Sequence, residues 1–450
     1  MADIYEQNLG SKANLTTSDY IRLVGSDNAS YKQPITQFPK VLDSSVSNVG
    51  GVTSNDLVRI QTASGNPAFV KVSDFMSTVD ISSTWMGIQN RVESGTAELA
   101  YPVGTQIADT WAESTSASYT TQWDVVNYDT NGNMYLKWHY AYPTGVPFDQ
   151  PEALYYAAGT ETAGTYHIGI GTAYGTGWVT SKSIQITTTA TMAAGDQLVL
   201  DIATDNSVDP TAGITWRIYG AGSTTVKQSG TTSNGTSGTS LGSTSSTGIG
   251  YTNGRVNSPQ RVVYGYNRWS QSAVRQWLNS SAAAGSWWSL QNPWDRPPTV
   301  ATTLRGFLAG FSDGFLSVLQ ATDVVTALNT VEGQTATTET TSDKIFLPSL
   351  QEMYVTPQLA NVEGVDWTYY QQLAANAGLT GKFAQYGTYP VLITYNLANT
   401  TSPVNVWLRS ANRGNANNAW FVYSTGNVYY YYTARGVLRG CPACIIKKSS

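Results

Sequence analysis

Few residues in this 450-residue chain are equipped for covalent or acid–base chemistry, and their spacing limits what they can do. Cys441 and Cys444 form a C-x-x-C, the spacing of half a zinc site or of a redox pair. Zinc needs two further ligands, and the only histidines, His139 and His167, lie far back in the chain without metal spacing. A redox pair needs a helix N-terminus to lower a thiol pKa, whereas CPACII reads as a strand; structural thiols or a local disulfide are expected instead. Neither histidine is accompanied by a G-x-S-x-G elbow for a serine triad. Asp149 with Glu152, and Glu363 with Asp366, are the carboxylate pairs available for glycoside cleavage, and the same spacings serve to cap turns and helix starts. No phosphate-cradling glycine loop stands at a strand–helix junction. No catalytic residue, metal or cofactor is therefore expected, and the protein is read as a non-enzyme.

Recognition chemistry is concentrated instead in residues 407–446, WLRSANRGNANNAWFVYSTGNVYYYYTARGVLRGCPACII. One set of positions is apolar or structural: Trp407, Leu408, Ala411, Ala419, Trp420, Val422, Gly426, Val428, Ile445 and Ile446. The interleaved set is Asn415, Asn417, Asn418, Phe421, Tyr423, Asn427, Tyr429, Tyr430, Tyr431, Tyr432, Thr433 and Arg435. Around Phe421–Tyr423 the two sets alternate, as on a strand with one packed and one free face. Four consecutive tyrosines cannot all point inward, because each buried phenol needs a partner for its hydroxyl. The second set is thus the candidate ligand-binding surface. With no Asp or Glu in it, calcium-dependent sugar binding is not expected.

This segment resembles the variable C-terminal region of C-type-lectin-fold proteins diversified by diversity-generating retroelements. In that family adenine-rich Asn codons are mutated by error-prone reverse transcription while fixed residues hold the fold. Phe, Tyr, Thr and Arg can all be reached from an Asn codon by changing adenines alone. Trp cannot, and Trp407 and Trp420 stand in the structural set. The fold is shared with formylglycine-generating enzymes, but fold does not carry function, and no reactive cysteine pair in their manner is visible.

The elements that must position this surface follow from the rest of the chain. Aromatics and charged residues each make up 12%, with 41 Gly, a texture of β-rich extracellular or virion proteins. The net charge of −5, without a basic block, argues against nucleic acid. No run approaches the ~20 apolar residues of a membrane span, and the N-terminus lacks the basic and apolar regions of a signal peptide. Near the N-terminus, DYIRLVGSDNASYKQPITQF is echoed by DLVRIQTASGNPAFVKVSDF, matching Asp19, Arg22 and Phe38 to Asp56, Arg59 and Phe75. Each copy reads as strand, polar turn, second strand carrying Tyr31 or Phe69, then a helical start at Thr36 or Ser73. Two such units bury little core alone, which suggests self-association or docking.

From Tyr101 on, Trp123, Val125 and Val126, then Tyr135, Leu136 and Trp138, form two strands joined by the turn-rich Asp129–Asn133. Strand patterns continue through TYHIGIG, SIQITTT, the hairpin-like MAAGDQLVLDIATD and ITWRIY. The Gly/Ser/Thr tract after Val226 is too polar to pack and reads as a loop. RWSQSAVRQWLNSS reads as a helix capped by Ser270, with Val274, Trp277 and Leu278 on one face and Gly285 beyond its end. DKIFLPSLQEMY reads as a strand leading into a helical start at Ser349. The order W-x-V (Trp123–Val125), Trp269–Asn279, Lys344–Ser349, Trp407–Ser410 and the closing pair Gly426–Ile446 resembles a recurrent domain type of unknown function in gut bacteria and their phages. The ending RGCPACII departs from that pattern and leaves the last strand's pairing open.

The expected architecture is α+β and β-rich. It comprises an N-terminal attachment or oligomerisation module (1–96), a discontinuous C-type-lectin-like domain (97–147 and 249–450) and an inserted β-sandwich-like domain (148–248). The diversified region is 407–446. The resemblance implies a phage tail-fibre or tail-tip receptor-binding protein; it would adhere to a bacterial protein or glycan, join other tail proteins through its N-terminal module, act as a homotrimer and reside in the virion. A trimer would raise avidity through effective concentration. The alternatives are a tail-associated glycan depolymerase targeted by the lectin domain, or a cellular diversified ligand-binding protein.

Overall fold

The computed structural model describes residues 84–114, 117–170, 182–201, 213–243, 264–332, 335–434 and 438–449, together with the backbone of four N-terminal strands. Those strands, β1 (Tyr20–Val24), β2 (Ser30–Pro34), β3 (Leu57–Gln61) and β4 (Pro67–Lys71), form two antiparallel hairpins. They join through β1 and β3 into one sheet of order β2-β1-β3-β4. Each echoed sequence copy thus supplies one hairpin. The helical starts expected at Thr36 and Ser73 lie outside the described residues.

The largest core is built from both ends of the remaining chain. Helix α1 (Trp85–Ser94) is opened by Thr84, whose Oγ1 accepts from the Gly87 amide at 3.0 Å, and closed by left-handed Gly95. It is followed by the single turn α2 (Ala97–Ala100). Trp85, Ile88, Val92 and Ala97 enter the core, so residues on the N-terminal side of position 96 also contribute to it. Strands β5 (Gln106–Ala112), β6 (Ser118–Tyr128) and β7 (Met134–Trp138) pack Trp111, Trp123 and Trp138 around Phe307, Phe311 and Phe315. The β6–β7 turn is held as read from Asp129–Asn133: Asp129 Oδ1 accepts from the amides of Asn131 and Asn133, both at 2.9 Å, and Gly132 supplies the positive φ.

Residues 154–243 build a different core. Strands β8 (Leu154–Ala157), β9 (Gly164–Ile170), β10 (Lys182–Thr188), β11 (Gln197–Leu200), β12 (Thr215–Tyr219), β13 (Val226–Thr231), β14 (Ser233–Asn234) and β15 (Thr239–Ser243) form two four-stranded sheets. Leu154, Tyr156, Leu198, Leu200, Trp216 and Ile218 from one sheet meet Tyr166, Ile168, Ile184, Ile186 and Leu241 from the other. The Gly/Ser/Thr tract expected as a loop is corrected here as far as Ser243, for it supplies β14, β15 and the end of β13; residues 244–250 lie outside the described residues. Exposed strands need backbone pairing more than apolar side chains, and only Leu241 has to enter the core.

The chain then returns to the first core. Helix α3 (Ala273–Leu278) buries Val274, Trp277 and Leu278 as expected, but its cap is Ser272, whose Oγ accepts from the Arg275 amide at 3.3 Å. Ser270 is drawn away to Glu339, donating through its amide at 2.9 Å and its hydroxyl at 2.6 Å. After α4 (Asp313–Val318), β16 (Thr322–Ala327) pairs with β17 (Thr338–Asp343). The strand expected at 343–349 is corrected as well: β17 ends at Asp343, and KIFLPS continues as extended chain making one bridge, Phe346 to Ala443. A turn, rather than a helical start, follows Ser349. Helix α5 (Thr368–Asn376) and the hairpin β18 (Thr394–Asn396) with β19 (Asn399–Val404) precede the terminal sheet. That sheet is β20 (Val406–Ala411), β21 (Asn418–Val422) and β22 (Val428–Tyr432) in sequence order. The last strand, β23 (Ala443–Ile446), pairs with β7, completing the order β23-β7-β6-β5. The whole is β-rich with few helices, an α+β class. Among the described residues no helix is long and apolar enough to cross a membrane.

Candidate functional site

The structural set of the C-terminal stretch is buried throughout, from Trp407 and Trp420, both fully enclosed, to Ile446. Gly426 shows why glycine stands there: its φ is +82°, and an added Cβ would overlap the Tyr389 carbonyl oxygen. Beneath β20 the WLRS motif drives an internal ion pair. Arg409, 1% exposed, donates through Nη1 and Nη2 to Glu352 and through Nη2 to the Glu363 carbonyl at 3.0 Å. Ser410 Oγ donates to Glu363 Oε2 at 2.7 Å, and the Ala327 amide donates to Oε1 at 3.0 Å. Burial pushes the Glu363 carboxyl up, against the opposing pull of Arg409 and these hydrogen bonds.

The interleaved set divides three ways. Tyr429 is exposed, and Asn415, Tyr423, Asn427, Tyr430, Tyr431 and Tyr432 are half-buried. Asn417, Asn418, Phe421 and Thr433 are buried, so the free face expected around Phe421 is corrected. The reason is positional: β21 lies between β20 and β22, and Tyr423 and Tyr431 cover the Phe421 ring at centroid distances of 4.4 and 5.9 Å. Arg435 lies outside the described residues. Thr433 is tied down on three sides. Its amide donates to Asn417 O at 3.0 Å, its hydroxyl to Tyr264 O at 2.8 Å, and its carbonyl accepts from the Asp149 amide at 3.2 Å. Tyr432 stacks on Tyr264 at 3.8 Å, where the first core meets the second.

What remains in contact with solvent is an aromatic cluster on β22 and its surroundings. Tyr429 and Tyr430 lie 4.9 Å apart, Tyr430 contacts Trp420 at 5.6 Å, and Tyr423 approaches Tyr429 at 6.3 Å. Sequence reasoning missed Tyr386, which completes this cluster. Its ring, 52% exposed, lies 5.4 Å from Tyr429 and 5.5 Å from Trp420. The segment carrying it is fastened to the outer edge of β22. Tyr386 N donates to Val428 O at 2.9 Å, Val428 N to Gly387 O at 3.0 Å, and Tyr389 N to Gly426 O at 2.9 Å. Asn427 Nδ2 adds donations to the carbonyls of Tyr386 and Gly387 and to Thr388 Oγ1. Only the turn-forming Tyr-Gly pair at 386–387 hinted at this segment, and nothing in its spacing tied it to β22. Burial pushes the phenols of Tyr386 and Tyr423 up, and neighbouring tyrosines add to the effect.

A second missed residue is Asn267, fully buried. Its Nδ2 donates to the carbonyls of Asn412, Asn415 and Asn418 at 3.1, 2.8 and 2.8 Å, holding the loop before β21.

The candidate chemical residues are dispersed. Cys441 and Cys444 are buried free thiols rather than a disulfide, and burial pushes both up, leaving them protonated and inert. His139 Nδ1 lies 3.0 Å from both Asp124 oxygens, and His167 Nδ1 lies 3.3 Å from Ser237 O on a separate sheet. Asp149 and Glu152 are buried, Glu363 serves Ser410 and Ala327, and Asp366 pairs with Lys382. Among the described residues no group of His, Cys, Asp and Glu is arranged to hold a metal.

A family model described as "Domain of unknown function (DUF6273)" matches residues 250–448, the stretch that carries β16 to β23 and the aromatic cluster. No curated protein and no solved structure matches the chain.

Proposed function

We propose that this protein is a binding protein rather than an enzyme: a phage tail-fibre or tail-tip receptor-binding protein that attaches to a bacterial surface ligand through the Tyr-rich face of β22. The observation that carries this reading is the separation of roles within one short stretch. Every position of the structural set is enclosed, whereas Tyr423, Tyr429 and Tyr430 reach solvent on that rigid support. Tyr offers large contact area, a polar tip and few rotatable bonds, so a surface held in place loses little affinity to ordering.

In this reading residues 97–147 and 249–450 form a C-type-lectin-like domain diversified at 407–446, and 148–248 is a β-sandwich-like insertion. The shared core of residues 85–148 and 269–446, separate from that of 154–264, supports this division. The two-hairpin sheet of β1–β4 is proposed to join the protein to other tail proteins and to a homotrimer. Sequencing the surrounding locus tests the reading. A near-copy of the codons for 407–446 beside a reverse transcriptase, differing only at adenines, is expected; its absence would return the tyrosines to an ordinary aromatic surface.

A further inference from the structure

The geometry points to Tyr386 as a constant binding residue outside the interleaved set, forming with Tyr429 a notch for an uncharged saccharide. This inference rests on the binding function proposed above and adds to it a fixed contact and a ligand class.

Three observations carry it. The first is conformational. Tyr386 has φ +63°, a left-handed backbone that costs a bulky residue of order 1 kcal/mol or more and that Gly or Asn would adopt with less strain. Four hydrogen bonds from its own segment and from Asn427 hold it there, yet its ring is half exposed and fills no core. Its contacts with Trp420, Tyr429 and Tyr430 still leave about half of the residue open to solvent, so an aromatic kept there in a strained backbone has a surface to offer beyond its packing.

The second is shape. The Tyr386 and Tyr429 rings meet at 73° with centroids 5.4 Å apart, giving a floor and a wall; Tyr430 touches both rings, and Trp420 touches that of Tyr386. Only these two residues of the cluster are exposed rather than half-buried or buried. Two exposed rings offer far less surface than the roughly 800 Å² per partner of a stable protein interface.

The third is chemistry. Every residue in ring contact with Tyr386 is uncharged. Among the described residues, no hydrogen bond occupies the phenol oxygens of Tyr386, Tyr423, Tyr429 or Tyr430, while Asn427 spends its amide on the backbone. Aromatic faces attract the weakly positive C–H face of a sugar ring, and free phenols exchange hydrogen bonds with its hydroxyls. Nothing in the notch would compensate a carboxylate, sulfate or ammonium stripped of water.

The test uses the full chain on a microarray of neutral and acidic glycans, with adhesion to host cells measured in parallel. Binding to neutral glycans is expected, falling roughly tenfold or more in Tyr386→Asn, with a thermal midpoint equal to or above that of the parent because Asn accepts the left-handed backbone. Neutral-glycan binding unchanged in Tyr386→Asn overturns the assignment of Tyr386. Binding only to acidic glycans, or to none, overturns the ligand class, even where cell adhesion is lost in Tyr429→Ala and the binding function itself stands. Adhesion unchanged in Tyr429→Ala overturns both.

Discussion

Phe421 and Tyr429 stand opposite each other across β21 and β22, yet one ring is sealed and the other open. Their substitution by Ala is expected to separate the two roles. Phe421→Ala should cost about 3–5 kcal/mol of stability in chemical denaturation. Tyr429→Ala should leave the unfolding transition within about 0.5 kcal/mol while lowering adhesion. The enclosed Arg409 is a sharper case. Arg409→Met removes a buried cation and strands Glu352, and a loss of about 3–5 kcal/mol in chemical denaturation is expected. Glu363 makes a pH prediction. Its folded pKa is raised, so the folded state holds a proton more tightly than the unfolded one. Stability from this group is therefore full below the ordinary 4.5 and lost as pH rises through the raised folded value. Denaturation series across that window should show a flatter slope in Glu363→Gln than in the parent. At this scale the sequence was legible wherever residue type alone decides burial: each Trp, Ala, Val and Gly of the structural set in 407–446 was readable. Phe421 was not, because its fate depends on two tyrosines folding over it.

At the scale of elements, period and turn chemistry carried most of the reading. Asp129–Asn133 was readable because an Asx turn is local, as were Val274, Trp277 and Leu278 on one helix face. The errors arose where a partner distant in sequence decides. Glu339 draws Ser270 out of the cap position, and pairing with β10, β12 and β9 makes strands of a tract with almost no apolar residues. Asn267 shows the same dependence, since its three acceptors lie 145 to 151 residues further on. Asn267→Ala leaves those carbonyls short of a buried donor. A loss of about 1–3 kcal/mol is expected, together with faster amide exchange in residues 412–418, measured by hydrogen exchange.

For the whole molecule, the two parts meet at defined points: Tyr264 of the second core on Tyr432, and a small separate cluster of Ala153, Tyr155, Val199 and Tyr219 on which Trp294 packs, stacked on Tyr155 at 4.2 Å. Which strands share a core was legible only through the order of motifs, since no local pattern says that residue 138 will lie beside residue 442. If β1–β4 mediate assembly, removing residues 1–83 should turn an oligomer into a monomer in analytical ultracentrifugation without altering the fold of the remainder.

The segment at 386–389 has one more consequence. β22 is an edge strand rich in tyrosine, the kind of border on which a second chain can crystallise into a growing sheet. Its outward main-chain groups at Val428 are taken by Tyr386 and Gly387, and just past its far end the Ala434 amide is taken by Tyr264. The stretch left between these two stoppers is residues 429–433, roughly 17 Å at 3.4 Å each, shorter than the six or seven residues of a fibril-forming segment. An exposed side chain on this strand, such as Tyr429, can therefore be exchanged for a stickier one with less risk of edge-to-edge aggregation.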